Sequence, residues 1–309
     1  MFIGFDTSNY TTSVAVLHND NIDQQKQLLS VKQGEKGLRQ SDAVFQHTVN
    51  MPILMDKLDF EKFDSIEAVG VSTRPRSVEG SYMPCFLVGE NVAVSVAKTH
   101  NVPLYKTSHQ VGHILAALYS CDAIDLIDRD FIAFHLSGGT TEALLVTPDD
   151  ENIINTQLIA QSSDHKAGQA IDRVGVMLGM QFPCGKALDE LSKLSDKKYN
   201  IKPSVKGADC SLSGVENKAK QMLDNGENPE DIANFVLSYI CKSVESMLCE
   251  IISKYGDLPV VFSGGVSSNS MLRETIKSKY NAYFAKPEYS CDNASGVAIY
   301  ARLKHKRKI

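Results

Sequence analysis

Two rhythms of apolar residues alternate along the chain. Short runs of β type stand at Phe2–Asp6, Ser13–Leu17, Ala68–Ser72, Leu104–Thr107, Phe131–Leu136, Ala143–Thr147, Val260–Ser263 and Tyr283–Ala285. Between them, apolar positions recur with helical spacing over Ser41–Leu58 (irregular at Pro52), Pro84–Lys98, His109–Tyr119, Gly168–Leu178, Asp231–Tyr255, Asn269–Lys279 and Asn293–Arg307. This alternation predicts an α/β fold with mixed sheets. Phe235, Val236, Ile240, Val244, Met247, Leu248 and Ile251 fall on one helical stripe and are expected in the core.

The chain also repeats itself. Ile3-Gly-Phe-Asp-Thr-Ser-Asn-Tyr-Thr-Thr12 aligns without gaps with Ile132-Ala-Phe-His-Leu-Ser-Gly-Gly-Thr-Thr141, and an apolar run follows each copy. Each copy reads as a hairpin whose turn is rich in Ser, Thr and Gly. Such turns aim hydroxyls and backbone N–H groups at phosphate oxygens, which marks Ser8, Thr11 and the 137–139 turn as candidate nucleotide contacts. A third element, Val260-Val-Phe-Ser-Gly-Gly-Val-Ser-Ser-Asn269, reads as strand, glycine turn and helix start, with Gly264 and Gly265 able to support a purine or ribose. Two such hairpins and a late glycine turn are the arrangement of the actin, sugar-kinase and Hsp70 superfamily. The prediction is two duplicated ribonuclease-H-like lobes with a nucleotide cleft between them. Residues 1–125 form the first lobe, to which the last helix, 293–309, returns; residues 126–292 form the second, with a helical insertion over about 164–225.

Composition narrows the class. A net charge of −5 gives no basic field for nucleic acid, so any RNA contact must be local. The basic cluster Lys304-His-Lys-Arg-Lys308 reads as a solvated helix end or as such a contact. Met1–Asp6 lacks the features of a secretion signal, and no apolar run approaches the roughly 20 residues of a membrane span. Seven cysteines without C-x-x-C spacing read as free thiols, so a soluble cytoplasmic protein is expected.

The chemistry concentrates in Ser108-His-Gln-Val-Gly-His113. Two imidazoles four residues apart share a helix face and can reach one metal ion. Gln110 stands where a zinc protease needs Glu as general base, which argues against proteolysis. A third ligand should be a carboxylate from elsewhere, and Asp292, just before the last helix, is the best candidate. His47, His100 and His165 are isolated and read as structural, and Arg74 and Arg76 as exposed loop residues able to meet a phosphate or RNA backbone.

His109–His113, Leu136-Ser-Gly-Gly-Thr140, Ala170-Ile-Asp172, Phe182-Pro-Cys-Gly185, Leu212-Ser-Gly214, Ser263–Asn269 and Glu288–Asn293 occur in the order found in the tRNA threonylcarbamoyladenosine transferases, once called sialoglycoprotein endopeptidases. The sequence resembles that family over nearly its whole length, and also looks like the related domains of carbamoyltransferases. The resemblance implies iron or zinc on His109, His113 and Asp292, with His135, Leu136, Ser137, Gly138, Gly139, Asp172, Gly185 and Asn269 holding ATP, AMP or threonylcarbamoyl-adenylate. It implies transfer of a threonylcarbamoyl or carbamoyl group from the adenylate to an acceptor, the adenosine next to the anticodon of tRNA. An actin-like paralogue or a second copy is an expected partner.

The sequence departs from the family in places. Tyr10 and Thr11 replace an acidic pair, and Val111 replaces a Glu in the histidine motif. Gly168-Gln-Ala-Ile-Asp172 replaces Gly-Glu-Ala-Phe-Asp, and Thr73-Arg-Pro-Arg-Ser77 replaces a Gly-Pro-Gly loop. These changes remove negative charge and predict a divergent paralogue. The alternatives are a catalytically silent scaffold of a modification complex, which would not need the metal ligands, and an ATP-dependent sugar or acyl kinase, which would not need the histidine pair.

Overall fold

The computed structural model describes residues 1–8, 10–31, 38–60 and 65–308; Asn9 of the first hairpin turn lies outside them. The chain divides into two compact units, residues 1–128 with 147–156 and 288–309, and residues 129–146 with 157–287.

In the first unit, β1 (Phe2–Asp6), β2 (Thr11–His18) and β3 (Asn21–Leu28) form an antiparallel meander, and β4 (Ala68–Arg74) and β5 (Leu104–Ser108) add in parallel beyond β1. The sheet order is β3-β2-β1-β4-β5. Strand alternation divides labour between its faces. Ile3, Phe5, Val69 and Val71 join the apolar cluster with Met51 of α1 (Gln40–Asp56) and Ala93 of α2 (Phe86–Thr99). Gly4 and Gly70, paired in the parallel register, lie under α9 (Ser295–Lys308). A Cβ at Gly4 would come within 2.6 Å of the Ala294 carbonyl oxygen, so only glycine lets this helix seat on the sheet. Pro52 sits inside α1 without ending it.

The second unit repeats this topology. β6 (Phe131–Leu136), β7 (Thr141–Asp149) and β8 (Ile153–Gln161) form the meander, the tip of whose β7–β8 hairpin, residues 147–156, belongs to the first unit, and β11 (Val260–Ser263) and β12 (Ala282–Phe284) add in parallel, giving the order β12-β11-β6-β7-β8. The duplication legible in the sequence is therefore a duplicated fold. Phe134, Phe262 and Phe284 stack across adjacent strands, with ring centroids 4.9 and 4.8 Å apart. All seven residues of the predicted stripe are buried on α7 (Pro229–Tyr255), the long helix beneath this sheet. Between β8 and α7 run α4 (Ala167–Met177), α5 (Gly185–Ser192), a small hairpin of β9 (Ser204–Lys206) and β10 (Asp209–Ser211), and α6 (Ser213–Asp224). A short helix α8 (Ser270–Lys277) precedes β12.

Three basic residues of α9 bond within the first unit. Lys304 donates to the Glu151 carbonyl, Arg307 to the Asp149 carbonyl at 2.9 Å, and Arg302 pairs with Asp20 at 2.9 Å. Among the described residues, no helix is long and apolar enough to cross a membrane.

Candidate functional site

The histidines sit on α3 (His109–Ser120), which starts directly from the end of β5. Ser108 caps it, its hydroxyl accepting from the Val111 N–H at 3.3 Å, so His109 is the first helical residue and His113 lies one turn on. Gly112 lies between them on the side that meets α9. A Cβ on Gly296 would strike the Gly112 carbonyl, so Gly296 lets the two helices touch backbone to backbone. That contact brings the segment before α9 alongside the imidazoles. The Asn293 side chain ties its turn, accepting from the Ser295 N–H at 3.0 Å and donating to the Cys291 carbonyl at 2.7 Å. Strand β3 holds it from the other side through Ser295 Oγ to Gln24 (2.7 Å) and Lys26 Nζ to the Glu288 carbonyl (3.1 Å).

Asp292 is thereby placed with Oδ1 3.1 Å from His113 Nε2 and 3.4 Å from His109 Nε2. One ligand atom from each of the three residues lies within 4.8 Å of the others, and all three residues belong to the first unit. Ligands at about 2.0–2.2 Å around a tetrahedral ion are roughly 3.4 Å apart, so two imidazole nitrogens and one carboxylate oxygen here fit such an ion. The set is the two-histidine, one-carboxylate type that suits iron(II) or catalytic zinc. The side chains are 19% (His109), 11% (His113) and 31% (Asp292) exposed, which leaves room for a further ligand.

Charge at this centre is strongly coupled. Burial alone would lower the His109 pKa, but the Asp6 and Asp292 carboxylates outweigh it and raise the value to about 10. Burial would raise the Asp292 pKa; hydrogen bonds from both histidines instead hold it well below the usual carboxylate range.

Ser8 and Thr11, expected at phosphates, are engaged elsewhere. Thr11 Oγ1 donates to Asp292 Oδ2 at 3.2 Å, and Ser8 donates its backbone N–H to Asp6 Oδ1 at 3.0 Å. Asp6, which sequence reasoning did not single out, is 1% exposed, and its Oδ2 lies 2.6 Å from His109 Nδ1. The available signal was an acidic residue ending an otherwise apolar buried strand.

The other candidate residues gather in the second unit. A cavity of about 450 Å³ is lined by Gly138, Asp172, Gly185, Gly265 and Asn269, all expected at the nucleotide, and also by Lys186 and Asp189, which were not. Its size is that of a small-molecule site. Asp172 Oδ1 accepts from the Cys184 N–H at 2.8 Å. Asn269 caps α8 through its Oδ1 (3.0 Å from the Leu272 N–H) while its Nδ2 donates to Asp189 Oδ1 at 2.5 Å. The remaining expected contacts do not line the cavity. His135 Nδ1 lies 3.1 Å from Ser263 Oγ, Leu136 is buried in the core, and Ser137 Oγ accepts from the Thr140 N–H at 3.1 Å within the turn. Gly264, at φ +89°, packs on the Leu136 backbone where a Cβ would not fit; Gly139 stands in open space. These residues shape the two turns on which Gly138 and Gly265 sit.

Comparison with known proteins gives the ancestry of this arrangement. The chain is 28% identical over 314 residues to the tRNA N6-adenosine threonylcarbamoyltransferase of Mycoplasma mobile, covering 98% of each. It is 30% identical to that of Ligilactobacillus salivarius, covering 99% of this chain and 92% of the relative. Among solved structures, component A of the (R)-2-hydroxyglutaryl-CoA dehydratase of Acidaminococcus fermentans is similar at TM-score 0.56 and 15% identity, covering 99% and 98% of the two chains. A ROK-family glucokinase from Streptomyces griseus is similar at TM-score 0.54 and 13% identity, covering 98% and 99%. At such identities the likeness is one of fold alone, the two-lobed actin-like ATPase fold predicted from the repeat. The family model described as tRNA N6-adenosine threonylcarbamoyltransferase matches residues 21–299, and the chain belongs to that family.

Proposed function

We propose that this protein transfers a threonylcarbamoyl group from threonylcarbamoyl-adenylate to the exocyclic amine of an adenosine in tRNA, with a metal ion held by His109, His113 and Asp292. The observation that carries this reading is the convergence of those three ligand atoms within 4.8 Å, from residues 179 positions apart in the chain. An iron or zinc ion there would supply Lewis-acid polarisation and a point of attachment for a carbonyl or carboxylate oxygen.

The rest of the work falls to the chain's own groups. The cavity of the second unit is the proposed adenylate site, where Asp172 offers a carboxylate oxygen to a ribose hydroxyl and Lys186 offers a cation to phosphate. The Gly138 and Gly265 turns let the backbone approach the nucleotide. Attack by the amine then releases AMP. A scaffold would have no use for a converged ligand set, and a sugar kinase none for paired imidazoles, so both alternatives explain less of the molecule.

The test is mass spectrometry of nucleosides from a tRNA incubated with the protein and synthetic threonylcarbamoyl-adenylate. Threonylcarbamoyladenosine should form with the parent and not with His113→Ala. A metal-loaded parent that leaves the tRNA unmodified would refute the acceptor assignment.

A further inference from the structure

The buried carboxylate of Asp6 has no part in the proposal above, yet it is held by four contacts at the candidate metal centre. Its Oδ1 accepts from Ser72 Oγ at 2.6 Å and from the Ser8 backbone N–H at 3.0 Å. Its Oδ2 lies 2.6 Å from His109 Nδ1 and 3.4 Å from Ser8 Oγ. An ionised carboxylate is acceptor only, so the proton in the contact with His109 belongs to the ring. His109 must then carry hydrogen on Nδ1, so the proton a metal ion would displace from the ring is the one on Nε2, on the side of Asp292, 3.4 Å away.

We propose that Asp6 is a positioning residue of this centre: it fixes the tautomer and orientation of His109, and so presents the Nε2 lone pair at the ligand position. This rests on the metal reading given above, and on the rule that ligating histidines are held by a hydrogen bond at their other nitrogen. The hydroxyl of Ser72 and the amide of Ser8 hold Asp6 in turn.

Asp6→Asn provides a sharp test because it keeps shape and reverses one bond. The Ser8 N–H is a fixed donor, so the new amide must place its oxygen at the Oδ1 position and its NH2 at the Oδ2 position, facing His109 Nδ1. The ring answers by moving its proton to Nε2, where it blocks ligation. Ser72→Ala removes one bond to Asp6 but leaves the Ser8 amide and the ring's Nδ1–H in place.

Cobalt(II) alone is the probe, read by affinity and by its visible absorption, with thermal unfolding of the metal-free proteins alongside. Loss of an outer-shell partner typically weakens metal binding roughly 10–100-fold, and Asp6→Asn should fall in that range. Ser72→Ala should stay within a few-fold of the parent. Equal cobalt affinity for Asp6→Asn and the parent, or an equal loss for Ser72→Ala and Asp6→Asn, overturns the positioning role while leaving the metal site intact. A parent that takes up no cobalt overturns the metal reading itself. Should Asp6→Asn fail to fold, the nitrogen-15 spectrum of the zinc-loaded parent decides: a His109 Nδ1–H supports the assignment, and an Nε2–H overturns it.

Discussion

Replacing Gly296 by alanine tests how the candidate metal centre is assembled, because this residue lies far from any ligand atom in chemistry but sets the approach of α9 to α3. The added Cβ would fall on the Gly112 carbonyl group, 2.6 Å from its carbon and 2.9 Å from the Ala116 nitrogen, where ordinary contact begins at 3.4 Å. The atoms the Cβ meets are all backbone of α3, so no side chain can swing aside. The helices must separate by on the order of 1 Å, and overpacking of this kind costs about 1–3 kcal/mol. Alanine's better helix propensity returns at most about 1 kcal/mol, so the net effect is destabilising. Metal affinity is the sharper readout. Ligand distances tolerate only about ±0.2 Å, and the same separation carries Asp292 away from His113, now 3.1 Å distant. Gly296→Ala should therefore lower the thermal midpoint and weaken cobalt binding together. Gly214→Ala, where a Cβ on α6 meets nothing within 4 Å, is the control and should be neutral or stabilising by up to about 1 kcal/mol. A Gly296→Ala protein with the parent's midpoint and cobalt affinity would refute the reasoning.

Three further outcomes follow from individual side chains. His47 is fully buried beside Thr12, and burial depresses its pKa from 6.5 to about 4. The folded state resists protonation, so its contribution is complete above pH 6.5 and is lost as pH falls towards 4, by about 3 kcal/mol over the window. Denaturant titrations at the two ends should show most of that loss in the parent and much less in His47→Gln; equal losses would contradict the assignment. Thr11→Val removes the donor to Asp292 Oδ2 and should weaken cobalt binding by less than Asp6→Asn does, with unchanged AMP binding; calorimetry showing the reverse pattern would return Thr11 to the phosphate role. Asp172→Asn should weaken AMP binding by about 1.5–3 kcal/mol if its free oxygen holds a ribose hydroxyl, and an unchanged dissociation constant would remove it from the nucleotide site.

Much of this architecture was legible in the residues because it is written in local signals. The repeat of Ile3–Thr12 at Ile132–Thr141 marks β1 and β6 and the turns after them, and apolar runs mark β4, β5 and β11. Strand β3 was not legible. Asn-Ile-Asp-Gln-Gln-Lys-Gln-Leu is an edge strand with a largely solvated face, and its pairing with β2 comes from backbone bonds that need no apolar alternation. Helices α5 and α6 were covered only by the expected helical insertion over about 164–225, without bounds of their own, since short, largely polar helices are stabilised by what they pack on.

At the candidate site, the histidine spacing was visible and the partner carboxylate could be named. What brings them together was not. The close approach of Gly112 and Gly296, and the anchoring of the Asp292 segment by Gln24 and Lys26, are tertiary facts with no periodic signature. Ser8 and Thr11 show a second use of the same chemistry. Their hydroxyl chemistry was read correctly, but small polar residues in a turn serve carboxylates as readily as phosphates, and here their bonds go to Asp6 and Asp292. The basic tail likewise had two readings on sequence, and its bonds to the carbonyls of Asp149 and Glu151 show an intramolecular use.

The most direct test of the central claim is elemental analysis of the purified protein beside a His109→Ala/His113→Ala double variant expressed and handled identically. Near-stoichiometric iron or zinc in the parent and its loss in the variant is the predicted result. A correctly folded parent as empty as the variant, even after incubation with either metal, would contradict it.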